Sequence, residues 1–192
     1  MLDRIEETEK WKIKKMAICF DVNSVENSEK KTIKIKDIVD ENFQDYKKSS
    51  MMIATEKCDF KCFKELGLSA DICQNMSIMK KRSMDVSFEL ILRRYKLNPI
   101  TKAIVIGGLE PMLQFEEVYG LIKYFRKNGC EDDFVIYTGY YKEEISEKIL
   151  KLKIFNNIII KFGRFIPNCE KIYDKVLGIY LSSNNQYAEK IC

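Results

Sequence analysis

Apolar runs alternate with amphipathic stretches along most of the chain. Runs of apolar residues predict five strands, at residues 51–55, 103–108, 134–140, 157–162 and 176–183. The second run has no polar alternation, as expected for a strand that is buried on both faces of a sheet. Strands that alternate with helices predict right-handed crossovers and a mainly parallel sheet.

Three intervening stretches carry apolar residues at helical spacing. The first predicted helix has Ser87 as its N-cap, and Gly129 closes the second. The apolar positions are Phe88, Ile91, Leu92 and Tyr95 in the first, Phe115, Val118, Ile122 and Phe125 in the second, and Ile145, Ile149 and Leu152 in the third. Because five strands are too few to close an eight-stranded barrel, the predicted fold class is α/β: a partial, open (β/α) barrel of mainly parallel strands with flanking helices.

The N-terminal part of the chain has a different character. Residues 32–39 alternate Ile33 and Ile35 with lysines, which predicts an edge strand. Residues 1–31 include a polar stretch and are interpreted as an N-terminal extension of unknown role. Residues 32–192 are then predicted to form one α/β domain.

The segments that follow the predicted strands are rich in glycine and polar residues. They are the cysteine-containing loop at 58–75, GGLEP at 107–111, YTGY at 137–140 and LSSNNQ at 181–186. In parallel α/β folds, functional sites form at the C-terminal ends of the strands. We therefore expect these four segments to meet at one rim of the sheet.

Cys58, Cys62 and Cys73 are separated by three and then ten residues, and the chain contains no His. A site for a soft metal must therefore be built from thiolates, which suit zinc or iron–sulfur chemistry. Three thiolates leave a coordination position open, which structural zinc sites usually do not. The alternative is that the cysteines are buried as small apolar residues, although the charged residues between them favour an exposed loop.

Composition limits the number of domains, the classes of partner and the cellular location. The 192 residues are enough for one domain, and 33 basic against 29 acidic residues give a net charge of +4, which predicts no nucleic-acid or membrane partner. Seven cysteines without a secretion signal favour a reducing, cytoplasmic location. No apolar run approaches the roughly 20 residues that a membrane span requires.

Four segments in order, CDFKC with a following CQN, GGLEP, YTGY and LSSNNQ, resemble a known family. The chain is similar to radical S-adenosylmethionine (SAM) proteins, specifically the small activating proteins of glycyl-radical enzymes, such as the activase of anaerobic ribonucleotide reductase. The resemblance implies a [4Fe–4S] cluster whose fourth iron binds SAM. It also implies a SAM-derived radical that takes hydrogen from a glycine of a partner enzyme, with electrons from a flavodoxin- or ferredoxin-like donor.

The same resemblance assigns the cluster ligands to Cys58, Cys62 and Cys73. The chain departs from the common pattern in two places. Three cysteines are usually spaced by three and then two residues, but here Glu65 occupies the third position and the last cysteine comes eight residues later. In addition, Leu109 separates the two glycines of GGLEP from its acidic residue.

The resemblance also implies residues that bind SAM. Phe60 lies in the cluster loop, and Ile72 precedes the last ligand, where the family commonly packs the adenine. Gly107 and Gly108 would let the backbone approach the methionine moiety, and Glu110 resembles the acidic residue of the family's GGE segment. Two further residues, at strand ends, would contact the SAM carboxylate or ribose: Thr138 and Ser182.

Two other functions stay open. One keeps the radical chemistry but acts on a different peptide or on a small molecule. The other is a non-catalytic interaction module that binds zinc through thiolates. The leading hypothesis remains an enzyme, an oxidoreductase that activates a glycyl-radical partner.

Overall fold

The computed structural model describes residues 31–192, so the interpretation of the preceding residues as an extension lies outside the described part. The strands are β1 Thr32–Asn42, β2 Ser50–Thr55, β3 Met84–Ser87, β4 Ala103–Gly107, β5 Asp133–Tyr137, β6 Ile158–Phe162, β7 Ile172–Asp174, β8 Ile179–Leu181 and β9 Tyr187–Lys190. The α-helices are α1 Lys61–Lys64, α2 Met76–Met79, α3 Phe88–Leu97, α4 Phe115–Lys127 and α5 Ser146–Leu152. Single 3₁₀ turns lie at Ala70–Ile72, Pro111–Gln114 and Lys142–Ile145.

Seven strands form the central sheet, in the order β3-β1-β2-β4-β5-β6-β9. The four middle strands, β2, β4, β5 and β6, are parallel neighbours, as the sequence predicts. Antiparallel strands flank them on both sides. The prediction of a mixed α/β fold with a mostly parallel centre is therefore confirmed, whereas closure towards a partial, open barrel stays a prediction.

Two strand predictions were wrong. The run at 32–39 is not an edge strand, because β1 lies between β3 and β2 and buries Ile33 and Ile35 completely. The run at 176–183 is not a strand of the central sheet. It contributes only the short β8, which pairs with β7 in a separate two-stranded sheet. A turn causes this pairing: Gly178, at φ 73°, donates its N–H to the carbonyl of Asp174.

The helices α3, α4 and α5 pack against one face of the central sheet. Their apolar residues, including Ile91, Leu121 and Ile149, share a core with inward-facing strand residues such as Ile106 and Ile136. The helix boundaries follow the predicted signals. Ser87 accepts a hydrogen bond from the N–H of Leu90 at 3.2 Å, and Gly129 has a φ of 74° just after α4.

The second face of the sheet is covered by loops and by the β7–β8 ribbon, in a smaller core with Tyr46, Leu177 and Leu181. Because successive side chains of a strand point to opposite faces, the strand residues that alternate with the helix-facing ones point towards this second face. At its rim, Tyr137 of β5 is in register with Lys161 of β6. Within the described residues, every helix is too short or too polar to cross a lipid bilayer.

Candidate metal centre

A cavity of about 150 Å³ opens where the parallel strands end. Residues from the segments after β2, β4, β5 and β6 line it. Cys58, Cys62 and Cys73 all line this cavity, together with Glu110 and Lys161. The cysteine loop, GGLEP and YTGY therefore meet at one rim, as expected. Gln186 of LSSNNQ also lines the cavity, although this segment follows β8 of the separate sheet and not a parallel strand.

The cysteine loop owes its local shape to Phe60. This residue has a φ of 56°, and its N–H donates to Sγ of Cys58 at 3.3 Å. The carbonyl of Phe60 accepts bonds from the N–H groups of Phe63 and Lys64, which starts the short helix α1 that carries Cys62. The side chain of Phe63 is buried, and it fixes this helix to the body of the domain.

The last cysteine is held by the 3₁₀ turn Ala70–Ile72. Oγ of Ser69 caps this turn by accepting from the N–H of Asp71, and Cys73 donates its own N–H to the carbonyl of Ala70 at 2.9 Å. The ten residues between Cys62 and Cys73 therefore return to the cavity through ordered backbone hydrogen bonds.

Burial disfavours negative charge on the thiols of Cys58 and Cys62. It raises the pKa of Cys58 to about 11, and it raises the pKa of Cys62 with a further contribution from the neighbouring Cys73. Thiolates crowded into a poorly solvated cavity are stabilised when they coordinate a cation. This donor set fits a positively charged metal group.

No group of three Cys, Asp or Glu side chains in residues 31–192 is close enough to hold a single metal ion. A tetrahedral zinc ion would require such close ligands. An iron–sulfur cluster differs, because each thiolate binds a different iron and the ligands are spread around the cluster. The three cysteines line one cavity, and thiolates arranged around a cavity suit such a cluster.

The other cysteines of the described residues lie elsewhere. Cys130 follows α4 and precedes β5, so it lies at the opposite end of the sheet from the cavity, where its Sγ is 3.9 Å from Oδ2 of Asp132. Cys169 lies beyond β6 and does not line the cavity.

Glu110 is a buried carboxylate of the cavity that accepts three hydrogen bonds. Only 5% of it is exposed. Its Oε1 accepts bonds from the N–H of Met112 at 2.9 Å and from Oγ1 of Thr138 at 2.7 Å, and its Oε2 accepts from the N–H of Gly139 at 2.8 Å. Burial raises the pKa of Glu110, and these hydrogen bonds oppose that rise. Oε2, with one donor, retains the capacity to accept a bond from a ligand.

The two glycines of GGLEP are required by packing within the protein. A Cβ on Gly107 would lie 2.9 Å from Cβ of Tyr137, and one on Gly108 would lie 2.8 Å from Cβ of Ala54. Gly108 also has a φ of 75°, which favours glycine. Gly108 lines the cavity and Gly107 does not, so their predicted approach to SAM stays a prediction.

Lys161 is a cavity residue that the sequence analysis missed. It is 7% exposed, and its Nζ donates to the carbonyl of Gly163 at 2.9 Å. Burial lowers its pKa to about 8, with Glu110 and Cys62 acting in the opposite direction. The available signal was a lysine inside the apolar run NIIIKF, where a strand buried on both faces should have no charge.

The remaining predicted cofactor residues do not line the cavity. Thr138 is buried and supports Glu110, and its Oγ1 also accepts the N–H of Tyr140. Ser182 lies near the cysteine loop, with Oγ 3.5 Å from Oε1 of Gln74. Ile72 is 45% exposed, and Phe60 shapes the loop backbone. Their direct contacts with SAM stay predictions.

Comparison with known proteins shows the family of the chain. The family described as "4Fe-4S single cluster domain" matches residues 49–187. A protein of Methanocaldococcus jannaschii, provisionally named a glycyl-radical enzyme activating enzyme, is 27% identical over 168 residues, which cover 81% of this chain. The chain spans 65% of that relative's length. No solved structure matches the chain. These findings support the resemblance to radical SAM activating proteins.

Proposed function

Because the chain belongs to the 4Fe-4S single cluster domain family, we propose that it is a radical SAM enzyme that activates a glycyl-radical partner such as anaerobic ribonucleotide reductase. One observation carries the proposal. Three cysteines of one loop line the same strand-end cavity as a buried carboxylate and a buried lysine. The name of the archaeal relative supports the same type of activity.

Cys58, Cys62 and Cys73 would hold a [4Fe–4S] cluster and leave one iron without a protein ligand. When bound and reduced, such a cluster supplies the electron for cleavage of SAM at its sulfonium. The protein groups around the thiolates tune that site. The N–H of Phe60 already points at Sγ of Cys58, and hydrogen bonds to cluster sulfurs help to set a reduction potential.

The cavity also offers one group for each charged end of the methionine part of SAM. Glu110 can accept a bond from an ammonium group, and Lys161 can donate to a carboxylate. The two side chains are close enough for Glu110 to affect the pKa of Lys161. Both are oriented by protein hydrogen bonds before any ligand arrives, which reduces the cost of ordering them on binding.

Residues at the mouth of the cavity would orient the reactants. Tyr140 donates its hydroxyl hydrogen to Oδ2 of Asp59 at 2.6 Å, and both residues line the cavity. This bond joins the cysteine loop to the segment after β5. We propose that the open side beyond it admits the glycine-bearing loop of a protein substrate, and that a flavodoxin- or ferredoxin-like protein supplies electrons.

The test is an anaerobic assay of reconstituted protein with a chemical reductant and SAM. The proposal predicts formation of methionine and 5′-deoxyadenosine, and an electron paramagnetic resonance (EPR) signal of a glycyl radical when a matching glycyl-radical enzyme is added. If SAM is cleaved but hydrogen is taken only from a small molecule or another peptide, the proposed glycyl-radical partner is wrong. A cluster-loaded, reduced protein that never cleaves SAM would refute the enzymatic function.

A further inference from the structure

Position 65 is where the common cysteine spacing would place its third cysteine, and this chain has Glu65 there. In the structure, Glu65 ends helix α1 and pairs with Arg164, which follows β6. Nη2 of Arg164 donates to Oε1 of Glu65 at 2.8 Å, and Nε lies 2.7 Å from Oε2. The N–H of Nε is not directed at an acceptor, so this second contact is an ion pair rather than a well-aligned hydrogen bond.

Arg164 binds a second carboxylate in addition. Its Nη1 and Nη2 donate to the two oxygens of Glu144, each at 2.8 Å. Lys61, next to Cys62 in the loop, also pairs with Glu144. The guanidinium lies over the ring of Tyr141 at 4.7 Å, and its side chain is only 6% exposed. Bidentate pairing of a nearly buried guanidinium is geometrically specific.

The backbone of Arg164 is itself fixed by the LSSNNQ segment. Gly163, at φ 94°, approaches Asn185 so closely that a Cβ would lie 2.8 Å from its carbonyl oxygen. Nδ2 of Asn185 donates to the carbonyl of Arg164 at 2.9 Å. The LSSNNQ segment therefore supports the arginine that meets the cysteine loop.

We propose that Arg164 is a positioning residue that holds the lengthened cysteine loop in place through Glu65, at the point where the common motif has a cysteine ligand. The inference rests on the proposed cluster-binding function of this loop. The buried Phe63 already fixes α1, and anchoring at Glu65 extends the fixed part of the loop so that residues 66–72 span the distance to Cys73. A shorter free segment loses less entropy when its ends are brought together.

The experiment compares Glu65→Gln and Arg164→Lys with the unaltered full chain. Glu65 has a partly exposed side chain, so Glu65→Gln is expected to fold even if changes at Arg164 do not. The matched control is Glu116→Gln, which breaks the exposed pair between Glu116 and Lys151 on the helices α4 and α5. The first readout is hydrogen exchange of the amides at 66–72 before cluster reconstitution.

We expect exchange at 66–72 to become about tenfold faster in Glu65→Gln, because the loop loses a charge-assisted contact. Arg164→Lys keeps the positive charge but loses the planar guanidinium that binds carboxylates through two N–H groups. Its exchange rate at 66–72 should lie between those of Glu65→Gln and the unaltered chain, and the control should exchange at the rate of the unaltered chain. The second readout, after reconstitution, is the rate at which a chelator removes iron. That rate should rise in the same order.

The outcomes separate this inference from the proposed function. Faster exchange in Glu65→Gln, in a chain that binds no iron, would support the anchoring role and refute cluster binding. Normal iron binding in the unaltered chain, with Glu65→Gln indistinguishable from it in exchange and in iron loss, would overturn the anchoring role.

Discussion

Replacement of Lys161 by Met is the perturbation that separates ligand binding from stability most clearly. A lysine within an apolar strand must be dehydrated on folding, and in this structure its Nζ has one hydrogen bond, to the carbonyl of Gly163. The proposed function explains why such a residue is present, because its charge would be used when a SAM carboxylate arrives. Without a ligand, the same charge should destabilise the fold.

The magnitude follows from the pKa. A decrease from the ordinary 10.5 to about 8 corresponds to about 3 kcal/mol of unfavourable burial of the charged form. Lys161→Met removes this cost and loses one hydrogen bond worth about 1 kcal/mol. The carbonyl of Gly163 still accepts from Nε2 of Gln186 at 3.3 Å. We expect the variant to be about 2 kcal/mol more stable than the unaltered chain at pH 7.

The sign of the pH dependence provides the check. The unfolded lysine keeps its proton up to pH 10.5, but the folded one loses it above about pH 8. The unfolded state therefore binds more protons in this interval, and the stability of the unaltered chain rises with pH relative to Lys161→Met. The advantage of the variant should be present below pH 8 and disappear by about pH 10.5.

The assay is urea unfolding of the full chain before cluster reconstitution, at pH 7 and pH 10, with calorimetric titration of SAM after reconstitution. Lys161→Met should bind SAM at least about tenfold more weakly, since a charge-assisted bond is lost. Lys123→Met, at an exposed position of α4, is the control and should change stability by less than about 0.5 kcal/mol. A variant that is less stable at pH 7, or that binds SAM normally, would refute the reasoning.

Three further predictions follow from local geometry. Gly108→Ala should lower the free energy of unfolding in urea by about 2–3 kcal/mol, because the positive φ and the close approach of Ala54 both disfavour a Cβ. Gly67→Ala is the control: Gly67 has a similar φ but no neighbour within 4 Å, so the cost should be only about 1 kcal/mol. Ser87→Ala should cost about 1 kcal/mol by removing the N-cap of α3, and an unchanged unfolding midpoint would contradict this cap. Arg164 lowers the pKa of Glu144 to about 2, and the ion pair stabilises the fold by about 1 kcal/mol after allowance for solvent. This stabilisation should be present above pH 4.5 and lost as the pH falls towards 2. If the difference in unfolding free energy between the unaltered chain and Glu144→Gln stayed constant over this pH range, the prediction would be contradicted.

The parallel centre of the fold could be predicted because its signals are local. An uninterrupted apolar run such as that of β4 can be satisfied only by burial on both faces, and the helices between the runs show their caps in the sequence. The edges of the sheet could not be predicted in the same way. The position of β1 depends on pairing with β3, and the separation of β8 depends on the turn at Gly178, and neither follows from periodicity.

The residues of the site also differ in how far the sequence predicts them. The cysteines, Glu110 and the strand-end rim could be predicted because residue type and element order place them. Lys161 and Arg164 could not, because their roles depend on distances across the sheet. A lysine in an apolar run signals an unusual environment, but only the fold shows that Lys161 faces the cavity. Arg164 carries no motif of its own, and its partners Glu65 and Glu144 are distant in sequence.

The most direct test of the central claim is the iron and sulfide content of reconstituted cysteine variants. The account predicts about four irons and four sulfides per unaltered chain, as a [4Fe–4S] cluster requires, and loss of the intact cluster when Cys58, Cys62 or Cys73 is replaced by Ser. Cys130→Ser and Cys169→Ser should retain the full content. Full occupancy in Cys73→Ser together with loss in Cys169→Ser would contradict the proposed ligand set.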